Sequence, residues 1–211
     1  MKKPMHFFGT FGTLIFLIGF IIAAYLLGSF SSAITLSKIM RFPDPRAEGS
    51  KNPGATNVLR IAGKKAAALT LFGDLLKGFI PVLLAGLFLQ DSLHVALTGF
   101  SAFIGHCYPL YYRFEGGKGV ATAIGFILAF DWLVGLTVVA IWLVIARISK
   151  LSALAALSAF TCMPFIYFAV RADLAVSGLL GLLSVILIYR HRENIQRLIN
   201  GTENKSRLNQ D

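Results

Sequence analysis

The chain has 211 residues, of which 56% are hydrophobic and only 14% charged, with 20 Lys and Arg against 10 Asp and Glu and a formal net charge of +10. Soluble domains run at about 45–50% apolar and about 25% charged. Here the apolar residues are gathered into long runs with the charges between them, which excludes an ordinary soluble domain and predicts an all-α, polytopic integral membrane protein. The basic excess then reports membrane topology, not nucleic-acid binding.

A bilayer core of about 30 Å takes about 20 apolar helical residues, fewer where a helix is buried by its neighbours. In chain order the qualifying runs are 12–40, 66–89, 93–113, 118–146, 152–170 and 174–190. The first exceeds one membrane thickness, so its far end, Ser29 to Met40, is expected to project into the interface or tilt. The run 118–146 is too long for one span and is interrupted by Asp131 beside Trp132, which divides it into two short helices and brings the expected count to about seven.

Lys38, Arg41, Arg46, Lys51, Arg60, Lys64, Lys65, Arg113, Lys118, Arg147, Lys150, Arg190, Arg192, Arg197, Lys205 and Arg207 fall between spans on one side, against Lys2, Lys3 and Arg171 on the other. Basic residues stay in the cytoplasm, so the 41–65 loop and the C-terminus are expected inside and the N-terminus outside, with Asp91, Asp131 and Asp173 in the outer connections. Lys2 and Lys3 ahead of an apolar run also open signal peptides. The pattern continues to Met40 without a small-residue cleavage site, so a retained first helix is expected. Residues 1–201 read as a single transmembrane domain and 202–211 as a polar, flexible tail. Cys107 and Cys162 lie in apolar stretches without CxxC or Cys/His spacing and read as packing residues, and no metal site or cofactor is implied.

The polar residues that are not spacers form three blocks, all on the expected cytoplasmic side. The first runs from Asp44 through Arg46, Gly49, Ser50, Asn52, Pro53, Gly54, Thr56 and Asn57 to Arg60. Gly49 and Gly54 admit close backbone approach and Ser50, Asn52, Thr56 and Asn57 supply short polar side chains, the composition of an anion nest. A short helix starting near Gly54 would set Asn57 and Arg60 on one face. A Pro/Gly turn with a capping Asn accounts for the same residues.

The second block is Gly105-His106 to Pro109 and then Phe114-Glu115-Gly116-Gly117-Lys118-Gly119, ending at Thr122. A Gly-Gly-Lys-Gly turn opening a helix brings backbone donors, a positive helix terminus and an ammonium together, which suits a phosphate. It is not a Walker A loop, because Gly119 follows the Lys where Ser or Thr is required. His106 sits in an apolar span, where an ionisable group often marks a site, while a buried His bonded to a carbonyl is the plain alternative. The third block, Arg190 to Leu198, places His191 and Asn194 on one helical face, either towards a site at the membrane surface or within a basic helix end that rests on headgroups. Asp74 and Lys77 are also three apart and read as an internal ion pair. Gly-x-Ser-x-Gly, HExxH, CxxC and Rossmann patterns are absent, and none of His6, His94, His106 or His191 has an Asp five residues on, so a His-x4-Asp acyltransferase motif is missing as well.

Gly28-Ser29, the run Gly49 to Asn57, Asp74-x-x-Lys77-Gly78, Gly105-His106-x-x-Pro109, Phe114-x-Gly116-Gly117-Lys118-Gly119-Val120-Ala121-Thr122 and Arg190-His191-x-x-Asn194-Ile195-x-Arg197-Leu198 together resemble the bacterial acyl-phosphate:glycerol-3-phosphate acyltransferase family, PlsY. The resemblance covers nearly the whole chain in order. It departs at Glu115, where a basic or neutral residue is expected, and after Gly28-Ser29, where many members have Pro. It implies a multi-pass enzyme of the bacterial inner membrane, its site facing the cytoplasm, that moves a fatty acyl group from acyl phosphate to the 1-position hydroxyl of sn-glycerol 3-phosphate, giving lysophosphatidic acid. It implies direct attack without an acyl-enzyme. Implied partners are the two substrates, membrane lipid and the enzyme that supplies acyl phosphate.

On that footing Ser50, Arg60, Lys118, His191 and Asn194 are expected to hold glycerol 3-phosphate, with Ser50, Lys118, His191 and Asn194 as the catalytic set. Gly49, Asn52, Gly54, Thr56 and Asn57 are expected to cradle acyl phosphate, and Arg46, His106, Gly116 and Gly117 complete the binding set. The attacking hydroxyl's proton goes to His191 or to substrate phosphate. A carrier for an organophosphate anion and a basic scaffold are the competing classes. The carrier calls for ionisable groups at the midplane, where only His106, Asp74 and Lys77 qualify, and the scaffold leaves the Gly/Asn/Thr loops unexplained.

Overall fold

The computed structural model describes residues 9–204, and among them it is all-helical. Lys2, Lys3 and, of the expected tail, residues 205–211 with Lys205 and Arg207 lie outside the described residues. The expected first run divides into α1 (Thr10–Ser29) and α2 (Ser32–Met40). Serine hydroxyls lie on both sides of the break, one bonding back within α1 and one capping a backbone N–H of α2 that a continuous helix would have paired. Ser29 Oγ donates to Tyr25 O at 2.8 Å, and Ser31 Oγ accepts from Ile34 N to cap α2.

Helix α3 (Ala55–Phe88) starts well before the expected 66, with Gly54 as its N-cap, so the apolar stretch is its rear and residues 55–65 its polar front. Gly63 interrupts it at φ 82°, ψ −178°, a conformation open to glycine, and divides it into two helices at a kink. Helix α4 (Ser92–Cys107) stops short of the expected 113 because Pro109 cannot continue it. A single 3₁₀ turn, Leu110–Tyr112, follows.

The split at Asp131 is found as expected. It separates α5 (Val120–Phe130) from α6 (Trp132–Ser149), and Asp131 Oδ1 accepts from Leu133 N and Val134 N at 3.2 Å each. Its other oxygen takes Arg171 Nε at 2.5 Å from the end of α7 (Ser152–Arg171). The third block does not extend the last helix straight on. Helix α8 (Leu174–Arg190) ends at His191 and α9 (Arg192–Ile199) leaves at 61°.

By length and composition four stretches can cross a bilayer: Phe11–Met40, Ala55–Phe88, Trp132–Ser149 and Ser152–Arg171, with the bent pair α8–α9 a fifth. Helix α5 has 11 residues, about 17 Å at 1.5 Å per residue. The expected seven is reached only by counting α4 and α5 as short spans enclosed by their neighbours.

Large apolar side chains such as Phe11, Phe72, Leu87, Ile148 and Leu174 face outward, and at several helix crossings glycines let the backbones meet. A Cβ on Gly28 would overlap the Ala102 carbonyl and one on Gly105 the Tyr25 carbonyl, which sets α1 directly on α4. Gly78 against the Thr122 carbonyl and Gly125 against the Leu75 carbonyl do the same for α3 and α5. Lipid gives little hydrophobic drive for pairing helices, so close backbone contact supplies it. Gly125→Leu should therefore cost about 1–3 kcal/mol of stability, read as a lower unfolding midpoint in detergent. Gly86→Leu, which meets no atom within 4 Å, should leave that midpoint in place.

Candidate active site

The first block folds around Asn57. From the first turn of α3 its side-chain Oδ1 accepts from Ser50 N at 2.8 Å, and its Nδ2 donates to Pro45 O and Glu48 O at 2.9 Å each. The amide is spent inside the loop, so Asn57 shapes the loop and does not share a ligand-facing surface with Arg60. Gly49 lies at φ 63° with Asn57 Oδ1 where a Cβ would go, so the turn needs glycine twice over. Gly54 caps α3 without a side-chain bond, and the Asn52 amide lies against it. The Ser50 hydroxyl makes no hydrogen bond among the described residues.

Arg46 stands apart from this cradle. Its guanidinium pairs with Asp44, at 2.7 Å for Nη2, lies 4.0 Å from Glu115 and sits 5.8 Å from the Tyr112 ring. Arg46 thereby holds the Asp44 carboxyl below its ordinary range. It lines an open cleft of ≈ 470 Å³ with Tyr111 and Arg113. Glu115, the departure noted in the sequence, is a partner for Arg46.

The second and third blocks form one network. Arg190, at the end of α8, donates to Gly116 O at 2.6 Å and Gly117 O at 3.1 Å and holds the glycine turn. Gly119 follows at φ 84° and caps α5. From this turn Lys118 Nζ donates to Asn194 Oδ1, and Asn194 Nδ2 donates to Glu203 Oε1 at 2.7 Å. Arg197 Nε donates to the other Glu203 oxygen at 2.7 Å, and Arg60 Nη2 reaches Asn204 O at 3.4 Å. That last contact joins the front of α3 to the segment after α9. No hydrogen bond among the described residues links Ser50, Asn52 or Thr56 to Lys118.

Burial, with Arg197 adding to it, lowers the Lys118 pKa to about 8. His191 Nδ1 lies 2.8 Å from Leu187 O, and a carbonyl can only accept, so Nδ1 carries the proton and Nε2 is a bare acceptor at neutral pH. Such a ring suits a hydroxyl donor better than a phosphate. His106 is buried beneath the glycine turn, its carbonyl accepting from Gly117 N at 3.1 Å. Its Nδ1 has no hydrogen-bond partner among the described residues, unlike the carbonyl-bonded ring that was the plain alternative.

Glu203 is the residue that sequence reasoning missed, having been assigned to the tail. Its side chain is only 7% exposed. Gly201, at φ 67°, ends α9 and lets Thr202 N bond back to Arg197 O at 2.8 Å, which folds Glu203 under the helix. A glycine helix stop followed by one acid in a basic segment was the available signal. Among the described residues no group of three or more His, Cys, Asp or Glu could hold a metal ion.

The family profile described as Glycerol-3-phosphate acyltransferase matches residues 18–201. A protein named glycerol-3-phosphate acyltransferase from Methylococcus capsulatus is 50% identical over 182 residues, covering 85% of this chain and 91% of that protein. A protein of the same name from Cupriavidus necator is 47% identical over 190 residues, covering 88% and 94%. The crystal structure of the integral membrane glycerol 3-phosphate acyltransferase PlsY in its glycerol 3-phosphate form superposes with a TM-score of 0.85 at 39% identity, covering 90% of this chain and 94% of that one. Its lysophosphatidic acid form gives 0.83 at 38%.

Glu203→Ala removes the shared acceptor of Asn194 and Arg197 and is expected to cost about 1.5–3 kcal/mol, the worth of hydrogen bonds to a charged group. Thermal unfolding in detergent checks this, and Glu203→Gln, which keeps one acceptor oxygen, should recover part of the loss.

Proposed function

Because the chain belongs to the glycerol-3-phosphate acyltransferase family, PlsY, we propose that it transfers a fatty acyl group from acyl phosphate to the 1-position hydroxyl of sn-glycerol 3-phosphate, releasing lysophosphatidic acid and phosphate. The observation that carries the reading is the half-buried Lys118 ammonium, held by Asn194 and backed by the Arg190-bound glycine turn. A desolvated ammonium of this kind binds a phosphate more strongly than one in water. In this reading the protein is a multi-pass enzyme of the bacterial inner membrane with its site on the cytoplasmic face, supplied with acyl phosphate by a partner enzyme. The reaction requires no nucleic acid, metal or other cofactor.

Lys118, Arg60 and Ser50 bind the glycerol 3-phosphate phosphate, with Asn194 fixing the Lys118 ammonium and His191 Nε2 accepting from the glycerol hydroxyl. Gly49, Asn52, Gly54 and Thr56 cradle the acyl phosphate at the front of α3, on a loop whose shape Asn57 sets. Acyl phosphate is a mixed anhydride with a good leaving group, so the hydroxyl oxygen attacks the acyl carbon directly as the bond to phosphate breaks. Positioning and charge stabilisation then suffice, without a protein nucleophile. The His191 ring, with its Nδ1 proton committed to Leu187 O, orients the hydroxyl through Nε2. The departing phosphate keeps the electron pair of the broken acyl–O bond, is the stronger base, takes the hydroxyl proton and is released as hydrogen phosphate.

Purified protein given palmitoyl phosphate and labelled glycerol 3-phosphate should form lysophosphatidic acid and phosphate one for one, with acyl-CoA and acyl carrier protein donors inactive in parallel. Formation from the thioesters alone would overturn the donor assignment. Lys118→Ala should lower kcat/KM at least about 100-fold, since a charge-assisted phosphate contact in a dry site is worth about 2–4 kcal/mol. Lys118 is protonated below its pKa of about 8, so KM for glycerol 3-phosphate should rise as pH passes above that value, while kcat at saturation holds further because bound anion raises the pKa. His191→Gln should keep kcat within about tenfold, the worth of one neutral hydrogen bond, and a loss of three orders of magnitude would make His191 an obligatory base.

A further inference from the structure

Three ionisable groups set in the helices are left over by this chemistry. Asp74, Lys77 and His106 are 2%, 5% and 7% exposed. Lys77 Nζ lies 3.0 Å from Asp74 Oδ1 and donates to Phe30 O at 2.9 Å, the carbonyl opposite the break between α1 and α2. His106 Nδ1 stands 3.8 Å from the same Asp74 oxygen. Lys77 and His106 line a small enclosed space with Phe30, Ser31, Pro109, Gly116 and Gly117.

Above them lies the turn that carries Lys118. The His106 carbonyl accepts from Gly117 N at 3.1 Å, and a Cβ on Gly117 would run into His106 Nε2. A Cβ on Gly116 would meet the carbonyl oxygens of His106 and Cys107. The turn is thus supported by the His106 backbone and ring, while Arg190 holds its two carbonyl oxygens. Burying charge among helices is costly and is compensated only by specific partners. Here those partners connect the α1–α2 break, α3 and α4 to one point beneath Gly117.

We propose that Asp74, Lys77 and His106 form a buried polar post whose function is to position the Gly116–Gly119 turn, so that the Lys118 ammonium is aimed at the phosphate of glycerol 3-phosphate. These are positioning residues that act through Lys118 without touching substrate. The inference rests on the acyltransferase reading above and deepens its account of that one substrate. A displaced ammonium weakens phosphate binding, whereas the acyl-phosphate cradle on the first loop is built independently around Asn57.

The test uses full-length protein in detergent, with calorimetric binding of glycerol 3-phosphate in the absence of acyl phosphate, kinetics in both substrates and thermal unfolding. His106→Ala should raise the Kd and KM for glycerol 3-phosphate at least about tenfold, as small misplacements of a binding group do. The KM for acyl phosphate should stay within about threefold, and His106→Gln, which keeps bulk beneath Gly117, should recover most of the loss. In a Lys118→Ala background His106→Ala should add less than about twofold, because residues acting through one contact are non-additive. Equal losses with and without Lys118, parallel rises in both KM values, or no change at all would overturn the proposal. If His106→Ala does not fold, Asp74→Asn, close to isosteric, is measured on the same cycle and must show the same selective loss. Wild-type protein that binds no glycerol 3-phosphate, or a Lys118→Ala variant that binds it normally, would instead remove the acyltransferase reading beneath the proposal.

Discussion

An ammonium taken partly out of water must be met by fixed acceptors or it gives up its proton, and the architecture around Lys118 follows from that constraint. Asn194 meets it directly, Glu203 holds Asn194 from behind, and Arg190 fixes the backbone from which Lys118 projects. Those partners come from the α4–α5 connection, the end of α8, α9 and the segment after it, so the site depends on several chain breaks arriving at one place. Ligation by a substrate phosphate would add an anionic partner beside the neutral amide, the direction that stabilises the charged lysine.

The breaks themselves are the second theme. Irregular backbone within a membrane is tolerated only where protein or a polar cavity satisfies it. Here Lys77 bonds the freed Phe30 carbonyl, His106 and Arg190 bond the glycine turn, and His191 turns its ring back to Leu187 at the α8–α9 bend. Polar chemistry is thereby assembled at helix ends while the outward faces of α1, α3 and α6 stay apolar. An enzyme whose one substrate is a soluble phosphate and whose other carries an acyl chain needs that division.

Much of this was legible in the residues. Asp131 announced a break because a carboxylate beside Trp132 in an apolar run is a ready N-cap, and Gly54 announced the start of a helix. Lys118 was legible as a candidate because an ammonium between glycines at the start of a helix stands out in an apolar chain, and His191 and Asn194 because they share a face at the end of the last span. The break after Ser29 was not, since three serines in a hydrophobic run read equally well as a continuing helix. Asn57 misled because an asparagine facing a ligand and one lacing a loop share the same sequence context, and only three bonded partners tell them apart. Glu203 was hidden by a chain reversal. Its partners Asn194 and Arg197 meet it only after Gly201 reverses the backbone.

In the proposed reaction both substrates are bound at once and the acyl group passes directly from acyl phosphate to the glycerol hydroxyl. Initial rates measured over a matrix of palmitoyl phosphate and glycerol 3-phosphate concentrations test it most directly. Double-reciprocal lines that intersect, with no protein-bound acyl label when palmitoyl phosphate is supplied alone, are the predicted result. Parallel lines together with a stable acyl adduct on the protein would mean a covalent intermediate and would contradict the account.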